Sequence, residues 1–180
     1  MKRFLQYLRE EADKKIVHIL RGISGSGKST LSNNILENSR GNNRSAVVLS
    51  TDRFFMTPGG EYKFDPSQIV ENHARNQADA IAHMKQGTHD IVIDNTNLVL
   101  AHMKPYVSAA RDHGYDVRFH DIHENDPDNI DVEEASRRME KRAETIPGSN
   151  HGIEVARRQA ASYQPFTTND PVSEVMGSLK

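Results

Sequence analysis

The chain has 180 residues, of which 36% are hydrophobic and 27% charged, a composition that fits one folded domain and excludes a disordered chain. Its 23 basic and 25 acidic residues give a formal charge of −2, which excludes a protein that coats long duplex; any nucleic-acid contact is expected to be local, at an end or a single nucleotide, and a small-molecule substrate fits equally well. There is no cysteine, which excludes disulfides, disulfide-linked partners, thiolate catalysis and cysteine-bound zinc, and suits a reducing cytoplasm.

The start, MKRFLQYLREEADKK, lacks an apolar signal core and reads as a short amphipathic helix over Met1–Asp13. No apolar run approaches about 18 residues, so no membrane span is expected. Four apolar segments read as buried strands: Ile16–Leu20, Ala46–Leu49, Ile91–Ile93 and Val117–Ile122. Helical patterns lie between them. Asp65-Pro66 opens one that Gly87 closes. The next spans roughly Ala101 to His113, with Gly114 as its stop, and requires Pro105 in its first turn. Further helices are expected over Asp131–Glu144 and Ile153–Tyr163, and the polar tail from Pro165 onward, which carries Pro171, is expected to be loosely held.

Alternating strands and helices imply a three-layer α/β/α domain around a mainly parallel sheet. Ligands bind beyond the carboxyl ends of such strands. The residues there are Gly22–Ser29, Ser50–Arg53, Asp94–Asn97 and His120–His123.

Gly22–Ser29 reads GISGSGKS and satisfies G-x-x-x-x-G-K-[ST], between an apolar strand and the helical stretch STLSNNILENS. Glycines let the backbone wrap an anion and aim N–H groups inward, and the helix N-terminus adds partial positive charge. This predicts the phosphate chain of a nucleoside triphosphate as ligand, with Lys28 at the β- and γ-phosphates and Ser29 on magnesium. The motif is shared by kinases, GTPases and motor ATPases and does not choose the reaction.

Asp52, at the end of the second strand, reads equally as a general base for an acceptor hydroxyl and as a helix cap or partner of Arg53. IVIDNTN (Ile91–Asn97) has the look of a Walker-B strand in which Asp94 holds magnesium, directly or through water, while Thr96 and Asn97 fix the loop or bind substrate; it also reads as a turn in which Asp94 or Asn95 caps backbone groups. Arg137, Arg138, Lys141 and Arg142 share one expected helix. By pattern alone they form a solvated face paired with Glu133, Glu134 and Glu140, although Arg138 and Arg142 lie four apart on one face and can close over a triphosphate. FFMTPGGEYKF (Phe54–Phe64) holds four aromatics, for core packing or for stacking on a base. The nine histidines lack metal-site spacing and are assigned no chemistry; His151 reads as a turn residue.

The ordered set GISGSGKST, STD-F-F, IVIDNTNL, an Arg-rich helix and N-H-G-I before a last helix resembles the kinase domain of bacteriophage polynucleotide kinase. It is still more similar to related small P-loop kinase-like domains of phages, bacteria and animals, from about Lys15 to Phe166. The resemblance implies a P-loop kinase with a helical lid over about 131–150, using ATP and Mg2+. It places Gly22, Ser24, Gly25, Ser26, Gly27, Lys28, Ser29 and Thr30 on the nucleotide. Asp52 becomes the general base, and Asp94, Thr96 and Asn97 line the acceptor side. Arg138 and Arg142 become the lid arginines, with Arg137 as fallback. The acceptor it implies is a nucleic-acid hydroxyl, by default a polynucleotide 5′-OH end. A hydroxymethylated base such as 5-hydroxymethyluracil in phage DNA and a nucleotide sugar, as for zeta toxins, stay open. Phe55 stands where the phage enzyme has a phosphate-clamping arginine, and Arg53 where many relatives have a second aspartate, so Arg53 is the candidate replacement clamp. No phosphatase domain is expected within this chain.

Overall fold

The computed structural model describes residues 13–177. The helix expected over Met1–Asp13 lies outside them, except for Asp13. Among the described residues a four-stranded parallel sheet runs β2-β3-β1-β4. The strands are β1 (Ile16–Arg21), β2 (Ala46–Leu49), β3 (Asp90–Ile93) and β4 (Asp116–Asp121). Flanking them are α1 (Lys28–Gly41), α2 (Ile69–Gln86), α3 (Leu100–Asp112), α4 (Val132–Ala143), α5 (Ile153–Ala161) and α6 (Pro171–Gly177). The expected α/β architecture is observed.

The inner strands β1 and β3 are buried along their whole length, as apolar runs in a sheet covered on both faces must be. Val17 sits in register with Ile91 on one side and Val117 on the other, and Val47 faces Ile91 in turn. Each fully buried Val, Leu or Ile contributes about 1.5–3 kcal/mol, so this shared row anchors the register.

Four expectations change at their edges. β1 continues through Arg21, which is fully buried because it donates to Asp121 Oδ2 at 2.7 Å and to the carbonyls of Asn97, Leu98 and Gln164. β4 begins at Asp116 and stops before Ile122, whose side chain is exposed. α3 starts at Leu100, so Pro105 lies in the helix interior beyond the first turn. The tail after Pro165 is not loose: Val175 of α6 is buried in the main core, and Val172 and Met176 pack against it.

A second apolar cluster joins Ile23 after β1, Leu98 after β3, Ala135 and Met139 of α4 and Ala156 of α5. It seats α4 and α5 on the loops at the carboxyl ends of the strands, which is where the cleft forms.

Candidate active site

Parallel strands deliver their following loops to one edge of the sheet. There a cleft of about 840 Å³ opens, lined by Gly25, Gly27, Lys28 and Ser29 together with Asp52, Phe55, Tyr62 and Phe64.

The Gly22–Ser29 loop is held in a shape that side chains resist. Gly25 has φ +81, and a Cβ there would lie 2.2 Å from the Ala135 carbonyl oxygen of α4. Gly27 has φ +103 and caps α1 with no side-chain hydrogen bond, leaving the first helical N–H groups open toward the cleft. Lys28 Nζ donates to the carbonyls of Gly22 at 2.9 Å and Ile23 at 2.8 Å. Burial pushes this ammonium down to about 8; Asp94 and Asp52 pull it up, while Arg142 lowers it further. A desolvated cation beside open N–H groups suits a polyanion. Ser29 and Thr30 are exposed, and both line the cleft with Ser24. Gly22 and Ser26 stand behind that surface: Gly22 N–H donates to Thr96 O at 3.0 Å, and Ser26 O receives Arg138 Nη1 at 3.4 Å.

Asp52 opens the turn Thr51–Phe55, whose cap is the Ser50 side chain, so Asp52 is not the cap. Nor does it pair with Arg53, which binds Asp79 and lies over the Phe54 ring at 4.6 Å. Asp52 is exposed into the cleft and accepts from the Tyr62 hydroxyl at 3.3 Å. Arg53 is absent from the cleft wall, which corrects its expected place beside substrate.

Asp94 and Thr96 line the cleft; Asn97 does not. Asn97 has φ +47, is buried and donates Nδ2 to Leu20 O at 2.8 Å, a loop-fixing role. Of the lid arginines, Arg138 and Arg142 line the cleft and Arg137 turns to Glu134. Arg138 also binds Glu134, through Nε at 2.8 Å, so the pattern-based pairing holds for part of this face. Arg142 donates Nη2 to Ser149 O at 2.8 Å, and its buried Nε has no partner. A guanidinium N–H left unpaired at a cleft suits an anionic oxygen.

Several site residues were given no role by the sequence, although His123 lies in the span His120–His123 marked at the strand ends. Gln159 of α5 clamps the loop, accepting from Ser24 N–H at 2.7 Å and donating to Ser24 Oγ at 3.1 Å. His123 Nε2 accepts from Ile23 N–H at 3.2 Å, and its burial lowers its pKa, which keeps that acceptor free. His73 meets Thr51 Oγ1 at 3.3 Å, and His151 packs edge-on to Tyr62 with centroids 5.2 Å apart; burial lowers both imidazoles. Ser32 was legible in principle, being one helical turn past Lys28; its Oγ donates to Asp94 Oδ2 at 3.1 Å. No helix of the described residues is long and apolar enough to cross a membrane.

Residues 17–166 match the profile of the AAA domain family. Human NEDD4-binding protein 2 is 41% identical over 104 residues, covering 58% of this chain and 6% of that protein. The structure of a Pnkp1/Rnl/Hen1 complex matches with TM-score 0.54 and 25% identity, over 69% of this chain and 39% of the other. The APS kinase CysC of Mycobacterium tuberculosis, solved with AMPPNP and APS, matches with TM-score 0.54 and 17% identity over 90% and 94% of the two chains, a likeness of fold. The chain thus spans well under half the length of the first two relatives. Its profile match, P-loop geometry and parallel sheet together make it a member of the AAA domain family with a P-loop kinase fold.

Proposed function

We propose that the protein is an ATP-dependent kinase that phosphorylates a hydroxyl of nucleic acid, the 5′-OH end of a polynucleotide being the acceptor. One observation carries this reading: Asp52 and Lys28 line the same cleft, close enough for the carboxylate to act on the ammonium. The likeness to a chain of the Pnkp1/Rnl/Hen1 complex, which a second similar structure describes as an RNA repair complex, supports the acceptor class.

In this reading the Gly25–Thr30 backbone and Lys28 hold the triphosphate. Asp52 accepts the proton of the hydroxyl as its oxygen bonds to the γ-phosphorus, and the bond from that phosphorus to the β,γ-bridging oxygen breaks to release ADP. Arg138 and Arg142 offset the charge on the transferring group. No cluster of three or more acidic or histidine side chains among the described residues makes an all-protein metal cage. Ser29 and Asp94 nevertheless fit a magnesium ion that is mostly held by phosphates and water. When bound, that ion neutralises phosphate charge.

The test offers γ-labelled ATP with 5′-hydroxyl oligonucleotides, hydroxymethyl-base DNA, nucleosides and sugar nucleotides in parallel. Label is expected on the 5′-hydroxyl oligonucleotide. Asp52→Asn is expected to leave ATP affinity nearly unchanged and to lower turnover about a hundredfold or more. Label confined to a sugar nucleotide, or equal losses in binding and turnover, overturns the reading.

A further inference from the structure

Beyond Asp52 the cleft wall changes character. Tyr62 and Phe55 are 7% and 4% exposed and meet edge to face at 5.9 Å, and Phe55 meets Phe64 at 5.1 Å. Phe64 is 51% exposed and Ile69 37%, and both line the cleft. Phe64 and Ile69 together give the cleft exposed apolar surface, as ligand-binding grooves have.

Arg142 stands at the margin of this wall, donating to Ser149 O and close enough to Tyr62 and His151 to act on both. The cationic side chains of the cleft are Lys28, from the P-loop, and Arg138, Arg142 and Arg158, from α4 and α5. The two arginines nearest in sequence, Arg53 and Arg75, lie over the Phe54 ring at 4.6 and 4.4 Å, away from the cleft lining. Away from Lys28 and Arg142, the rest of this wall carries no cation among the described residues. What the wall offers is ring surface plus two imidazoles, His73 and His151. Burial lowers both, so near neutral pH each presents one donor and one acceptor, the groups that read the edge of a heterocycle.

We infer that the wall formed by Phe55, Phe64, Ile69, His73 and His151 is a subsite for an unpaired nucleobase next to the accepting hydroxyl. It rests on the kinase reading above and deepens it: the acceptor is recognised through its terminal base. The base is unpaired, because stacking on a protein ring needs a free π-face.

The experiment measures labelling of two single-stranded oligonucleotides that differ only at the 5′-terminal residue, one with a base and one abasic. Wild type is compared with Phe64→Ala, whose exposed side chain is removable without opening the core. Expected is a roughly tenfold higher KM for the base-bearing acceptor in Phe64→Ala, an unchanged KM for ATP, and a similar penalty for the abasic acceptor in wild type. The two penalties should not compound when combined. Compounding penalties, or wild-type indifference to the missing base, overturns the subsite while leaving the kinase intact. Absence of label on any 5′-hydroxyl acceptor with wild type overturns both.

Discussion

The Tyr62 hydroxyl donates to Asp52 Oδ1 at 3.3 Å, and the backbone N–H of the same tyrosine donates to the Pro147 carbonyl at 2.8 Å. One residue therefore ties the candidate base to the loop that follows α4. Arg142 binds Ser149 O in that same loop, so lid arginine and carboxylate share a support. Burial and the nearby Asp52 charge raise the phenol above its ordinary range, which keeps it a donor at every working pH.

Removing only that hydroxyl is expected to lower turnover by about three- to tenfold, the worth of one ordinary hydrogen bond of about 1 kcal/mol, since this one is long. Tyr62→Phe keeps the ring packing, so Tm and the KM for ATP should hold. In an Asp52→Asn background the loss should vanish, because the tyrosine acts through the carboxylate; a double-mutant cycle on kcat reads this directly.

Lys28 titrates in an accessible window. Its folded value, about 8, lies below the ordinary lysine value of 10.5, so between them the unfolded chain holds more protons than the folded one. Stability of the nucleotide-free protein should therefore rise as pH rises from about 8 to 10.5. Lys28→Met should flatten that rise in urea melts taken at several pH values. Nucleotide affinity should move the other way, falling above about pH 8 as the free protein loses the ammonium.

Gly148 holds the lid loop against the Tyr62 segment. It has φ +83, and a Cβ there would lie 2.1 Å from the Tyr62 carbonyl oxygen. Gly148→Ala is expected to cost about 1–3 kcal/mol and to lower turnover, because the clash pushes loop and tyrosine apart. Gly114 is the control: φ is +71 with nothing within 4 Å of the added carbon, so Gly114→Ala carries the backbone cost alone. Thermal melts and kcat on both variants separate strain from coupling.

Ser32 orients Asp94. Ser32→Ala should raise the magnesium concentration for half-maximal activity about tenfold, as loss of a hydrogen bond to a metal-ligating carboxylate does. Nucleotide affinity without magnesium should stay within about twofold, which titration with and without the ion will check.

Local chemistry was enough to write much of this architecture into the sequence. Apolar runs located β1, β2, β3 and most of β4, because strands of a sheet covered on both faces read as nearly continuous apolar stretches. The loop Gly22–Ser29 was legible because its φ values at Gly25 and Gly27 leave few residue choices. Asp131 was legible as a helix start, and its side chain does accept from Glu134 N–H at 2.7 Å. What only the tertiary structure decided is which side chains meet across the chain. Arg53 stood beside Asp52 in sequence yet turns to Asp79, while Tyr62, ten positions on, reaches it. Gln159 binds Ser24 from 135 residues away, and Arg21 enters the core because Asp121 and three carbonyls come to it. Such pairings depend on how helices and loops dock over the sheet edge, and short-range propensity carries no record of that.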